Sequence, residues 1–205
     1  MPAAEQSPHF PLFLLGVVSA VFIWSGINPY ERVTWWMEVA PVVIAVPLLL
    51  CIYRRFRLTD FLYFWIAMHC VVLLIGGHYT YARVPLFDWI REPFGFERNH
   101  YDRVGHVMQG FVPALIGREL LIRTSDLKPG KWMFALLVLS AFGIGAIYEI
   151  IEWVAAEVTQ DGAESFLGSQ GDIWDSQKDM ALAGLSAALA LWALSRRHDR
   201  ALQRL

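Results

Sequence analysis

Apolar residues fall in six long blocks separated by short polar stretches, at residues 11–27, 35–53, 61–81, 101–123, 132–153 and 175–195. Each is near the ~20 residues that a membrane-crossing helix needs. The pattern predicts an all-α, polytopic membrane helical bundle with about six transmembrane helices, forming a single domain over residues 1–205. No tandem repeat, low-complexity tract or long linker interrupts it. The fourth block is the least apolar. It opens on polar residues and carries Arg118 and Glu119, but is otherwise apolar with Gly and Pro, which membrane helices tolerate.

Charge in the connecting stretches orients the bundle. Arg54, Arg55 and Arg57 follow the second block, Arg123, Lys128 and Lys131 follow the fourth, and Arg196, Arg197, Arg200 and Arg204 follow the sixth. The fifth connection has Glu157, Asp161, Glu164 and Asp172 but no Lys or Arg. Basic and less basic loops alternate, and the positive-inside rule then puts both termini in the cytoplasm. The third loop, residues 83–99, mixes both signs. Trp35, Trp36, Trp132, Trp153 and Trp174 lie at block ends, where interfacial anchors belong. With no Lys or Arg ahead of it, the first block reads as a retained span rather than a cleaved signal peptide. The two longest connections, 83–99 with its prolines and 157–172 with its glycines, are expected to be loops.

Composition agrees. A chain 56% hydrophobic, with a mean hydropathy of +0.41, belongs with membrane proteins rather than soluble domains. A net charge of −2 argues against a nucleic-acid partner. Cys51 and Cys70 sit within apolar blocks without zinc-site spacing and read as packing residues.

The unusual chemistry is acidic. With the topology above, His78 ends the third span, His100, Asp102 and His106 begin the fourth, Glu149 and Glu152 end the fifth, and Asp172, Asp175 and Asp179 begin the sixth. All fall in the extracytoplasmic half, although the orientation rests on the Lys and Arg of the loops. Asp102, His106 and Gln109 share one helix face, as do Gly145, Glu149 and Glu152, and Asp172, Asp175 and Asp179. Facing carboxylates repel unless protonated or bridged by a cation. A divalent ion (Zn²⁺, Mg²⁺, Mn²⁺ or Fe²⁺) held by Asp102, His106, Glu149, Asp175 and Asp179 would meet that need. Glu152 and His78 are the expected catalytic residues, Glu152 as general base. The bland alternative pairs the acids with Arg98, Arg103 and Lys178 at headgroup level. Among the remaining polar residues, Glu38 is expected at the exposed interface and His69 as a neutral buried histidine. His9 and His198 are expected in solvent, and Arg196 to Arg204 against anionic lipid.

The segments Asn99-His100-Tyr101-Asp102-Arg103-Val104-Gly105-His106, Tyr148-Glu149-Ile150-Ile151-Glu152-Trp153 and Gly171-Asp172-Ile173-Trp174-Asp175-Ser176-Gln177-Lys178-Asp179-Met180 resemble the YjdF-type family of bacterial inner-membrane proteins. That resemblance covers most of the chain and implies a multi-pass protein of the bacterial inner (plasma) membrane, without implying a reaction. A weaker likeness is to VanZ-like membrane proteins. Asp102 and His106 match their helix start, Glu149 their later acid, and Asp175, Asp179 and Gly184 their final run. Arg103 replaces a usual Lys, and Glu152 stands where a Gln is common, so this likeness concerns site architecture only.

Three functions compete. A metal-dependent enzyme, hydrolase or transferase, would act on a lipid or lipid-linked envelope substrate, with membrane lipids as its surroundings. A cation- or proton-coupled transporter would use the polar seams as a path, though clustering at one side fits a midplane site poorly. A structural protein would use them to bind a partner helix.

Overall fold

The computed structural model describes residues 8–159 and 169–205. Among them the chain is helical without strands. Its helices are α1 (His9–Gly26), α2 (Arg32–Ile52), α3 (Asp60–Tyr79), α4 (Pro85–Phe94), α5 (Tyr101–Thr124), α6 (Lys131–Thr159) and α7 (Asp175–Leu202). The six long helices coincide with the six apolar blocks.

Local chemistry sets several boundaries. Thr59 caps α3 by accepting from the Leu62 N–H at 3.2 Å, satisfying one of the amides a helix start leaves open. Pro41 and Pro47 lie inside α2 without ending it.

The connection 83–99 differs from expectation because it contains α4. Pro85 supplies a preset φ at its start, and Gly95, with φ at +66°, ends it. Leu86, Trp89 and Phe94 are exposed along this amphipathic helix. At the next connection, α6 continues past Trp153 to Thr159, so the expected fifth loop starts later. Asp161, Glu164, Gly162 and Gly168 of that loop lie outside the described residues.

Two groups of helices form the bundle. In one, α3 packs against α1 and α2; in the other, α5, α6 and α7 pack mutually, and α3 joins the two through α5. The contact of α5 with α7 is the most extensive. It is close because Gly110 lies directly against the Ala183 carbonyl and the Ser186 hydroxyl, where any Cβ would collide. Small residues at a helix crossing let backbones approach and make van der Waals contact, the main attraction available where lipid surrounds the helices.

At the end of the bundle formed by the α3 N-terminus and the α5 and α7 C-termini, a polar network locks three helices. Glu119, fully buried, accepts from the Thr59 N–H (3.0 Å), the Thr59 hydroxyl (2.8 Å) and Arg123 (2.8 Å), and meets His198 Nε2 at 2.9 Å. Arg118 pairs with Asp199 at 2.5 Å beside it. His198 was expected in solvent. It is instead fully buried, because α7 continues to Leu202 and carries it back over α3 and α5.

Four helices, α1, α2, α3 and α6, are long and apolar enough to cross a membrane by length and composition. α5 and α7 are long enough but more polar, and Asp102, His106, Gln109, Arg118 and Glu119 of α5 and Asp175, Asp179, Ser186 and His198 of α7 are buried.

Candidate functional site

At the opposite end of the bundle, the α5 and α7 N-termini meet the end of α6 and the start of α2. Asp102 and His106 stack one turn apart on α5, Glu149 and Glu152 project from α6, and Asp175 and Asp179 from α7. His106 is the hub. Its Nδ1 lies 2.9 Å from Gln109 Oε1, and with that carbonyl as acceptor Nδ1 carries the proton. Nε2 then faces Asp102 Oδ1 at 3.5 Å, Glu149 Oε1 at 3.6 Å and Asp179 Oδ2 at 3.9 Å. One donor atom each from Asp102, His106 and Asp179, all buried, lies within 4.8 Å of the others.

Part of the acid is neutralised by arginine. Arg98 pairs with Asp175 and reaches Asp102 at 3.5 Å. Arg103 pairs with Asp175 and Asp179 and lies 3.3 Å from Asp172. At the rim, Lys178 binds Asp172 at 2.6 Å; that ammonium and the Trp174 N–H hold the Asp172 carboxyl below its ordinary range. His100, just ahead of α5, is held below the usual histidine range by burial and by the Arg98 and Arg103 charges. The expected pairing with Arg98, Arg103 and Lys178 is therefore present, and it coexists with a cluster it does not satisfy. Glu149 Oε1 and Asp179 Oδ1 are buried with no hydrogen-bond partner among the described residues.

Donor spacing fits a shared cation. Ligand atoms about 2.1 Å from a tetrahedral metal lie roughly 3.4 Å apart, close to the separations around His106. Those separations are too long for ordinary hydrogen bonds. Gln109 holds the far ring nitrogen, as partners of metal-binding histidines do. Asp102, His106 and Asp179 fit such an ion best, with Glu149 beside them; Asp175 is given to the two arginines.

His78 is not brought to this cluster. Its Nδ1 lies 3.0 Å from the Ser25 carbonyl and its ring packs on Trp24, so it ties α3 to α1. Glu38 is. Expected at an exposed interface, it is 4% exposed, because α3 and α5 close over the start of α2. The Tyr148 hydroxyl donates to Glu38 Oε2 at 3.3 Å, and Tyr81 lends a second hydroxyl. Tyr81 is itself positioned at some cost. Its φ is +50°, next to Thr80 at +54°, both in a region unfavourable for side-chain-bearing residues. Its ring lies against Gly76 and Gly105, where a Cβ would intrude. Tyr148 adjoins Glu149 in sequence, and that adjacency was the available signal for it. Tyr81, outside any polar seam, gave none.

Fold and site together define an all-helical integral membrane protein with a buried acidic chamber at one end of the bundle. The chain belongs to the predicted membrane protein family DUF2238, which matches residues 10–200. Inner membrane protein YjdF of Escherichia coli (strain K12) is 45% identical over 187 residues, which span 91% of this chain and 90% of that relative. No solved structure matches the chain. The chain is accordingly a multi-pass inner-membrane protein. The VanZ-like likeness gains no support from these matches.

Proposed function

We propose that this protein is a metal-dependent membrane hydrolase or transferase acting on a lipid or lipid-linked envelope substrate from the extracytoplasmic side. In this reading all six long helices cross the bilayer and both termini are cytoplasmic. Two features support the crossing of α5 and α7. At 24 residues α5 spans about 36 Å, more than the hydrocarbon core needs. Along α7, Leu185, Leu189 and Trp192 point outward at helical spacing while Asp179, Ala183, Ser186, Ala187 and Ala190 point inward. Apolar residues outside and polar or small ones within suit a helix surrounded by lipid.

The observation that carries the enzyme reading is the surround of His106 Nε2, with three carboxylates at 3.5 to 3.9 Å and buried oxygens on Glu149 and Asp179 that have no hydrogen-bond partner among the described residues. Asp102, His106 and Asp179 would hold the ion, and Gln109 keeps the imidazole in the tautomer that presents Nε2. A divalent ion there supplies Lewis-acid polarisation and a water of lowered pKa. Glu149, the adjacent carboxylate, would hold or accept a proton at this site. Arg103, within reach of the same aspartates, would bind an anionic group on the substrate. Glu152, expected from sequence as the base, lies on the cavity side and serves better as a substrate contact; His78 has no role.

Elemental analysis of the purified protein tests this. A stoichiometric divalent ion is expected in the unaltered chain, lost in His106→Ala and Asp179→Asn. A metal-free protein, or metal content unmoved by both changes, overturns the reading. Cation-dependent solute flux in proteoliposomes, abolished by Glu149→Gln, would replace it with transport.

A further inference from the structure

Beyond His106 the acidic chamber opens into a cavity of about 210 Å³, bounded by Glu38, Glu152, Asp102, Tyr81, Tyr148 and His69. At roughly 30 Å³ per water, that is room for about seven small groups. No Lys or Arg lines it. Glu38 and Glu152 are 4% and 6% exposed. Glu38 is held by two tyrosine hydroxyls, whereas Glu152 makes no hydrogen bond or ion pair with the described residues. His69 Nε2 is buried here without a hydrogen-bond partner among the described residues. Leu73, Ile144 and Pro41 complete an apolar side.

A carboxylate buried without a partner is costly unless it is protonated or something positive reaches it. A primary ammonium carries three N–H donors, which the Glu38 and Glu152 carboxylates lining this cavity can accept. Its methylene substituents suit the apolar side, and the tyrosine rings favour a cation against them.

We propose that this cavity is a subsite for a primary alkylammonium group carried by a lipid headgroup. Its place in the reaction rests on the enzyme reading above, since the subsite adjoins Asp102 and His106 and would present a neighbouring bond of the same headgroup to them. The recognition itself does not depend on a metal.

Native mass spectrometry of the full chain, loaded with equal phosphatidylethanolamine and phosphatidylglycerol, reads the inference directly. The ethanolamine lipid is expected to be retained at least tenfold over the glycerol lipid. Glu38→Gln and Glu152→Gln are each expected to remove that preference while leaving metal content unchanged. Tyr148→Phe, which keeps the ring and loses one hydroxyl, is expected to weaken it. Competition by free ethylamine would assign recognition to the ammonium alone, and its failure to compete would assign it to the whole headgroup; either supports the subsite. Equal retention of both lipids by the unaltered protein overturns it, even if the glutamine variants do not fold. An ethanolamine preference in a metal-free protein would leave the subsite standing and sink the enzyme reading.

Discussion

His106 and Glu119 are both buried on α5, thirteen residues or roughly 20 Å apart. Their surroundings give them opposite roles. Every neighbour of Glu119 donates to it: Thr59 twice, Arg123, and His198. His106 Nε2 meets only acceptors, and two of the oxygens nearby have no hydrogen-bond partner among the described residues. A satisfied network holds structure, while an unsatisfied one calls for a ligand. Glu119→Gln should therefore cost about 3 kcal/mol of stability, by weakening a buried ion pair. The measurement is thermal unfolding in detergent together with elemental analysis, with metal content expected to stay at the unaltered level. A loss of metal without loss of stability would reverse the assignment of the two clusters. None of this pairing was legible in sequence, because His198 and Glu119 lie 79 positions apart and a histidine in a basic tail looks solvated.

At the scale of elements, helix identity was legible from hydrophobic blocks, but the closeness of α5 to α7 was not. Many glycines punctuate these helices, and only contact geometry separates those that matter. Gly110 lies against the Ala183 backbone, which cannot move aside as a side chain would, whereas Gly143 has open space around its Cα. Gly110→Ala should destabilise by about 1–3 kcal/mol through overpacking. Gly143→Ala should be neutral or slightly stabilising, since alanine favours the helix. Thermal unfolding of the two variants side by side checks the contrast, and equal stabilities would mean the helices are not in contact at Gly110. The hidden α4 has a related cause. Ten residues with two prolines fall below the length at which a hydrophobic block announces a helix, and Pro85 and Gly95 act as caps, though they read as breakers.

For the whole molecule, the proposed topology puts α4 outside the cytoplasm and the α5–α6 connection inside. In a chain with Cys51 and Cys70 replaced by Ser, a membrane-impermeant maleimide should label Glu92→Cys in intact spheroplasts. Asp126→Cys should label only after permeabilisation. Labelling of both sites, or the reverse order, would place α5 off the bilayer normal or invert the bundle. Hydropathy alone leaves α5 and α7 ambiguous, since it averages over all faces of a helix. Burial resolves the faces, and on α7 the large apolar residues Leu185, Leu189 and Trp192 are outer ones while Asp179 and Ser186 are buried.

Sequence by itself determined the helical class, the long helices found among the described residues, and which end of the bundle collects the acids. Those follow from short-range regularities: block length, charge between blocks, and helical spacing within them. Tertiary structure decided which acids matter and how. It gave Asp175 to two arginines, turned Asp102, Glu149 and Asp179 toward one imidazole nitrogen, sent His78 to α1, and drew Glu38 from the interface into a cavity wall. The physical reason is that a buried charge is defined by its partners. Here those partners come from helices up to 110 residues apart in the chain, a distance over which no local pattern carries information.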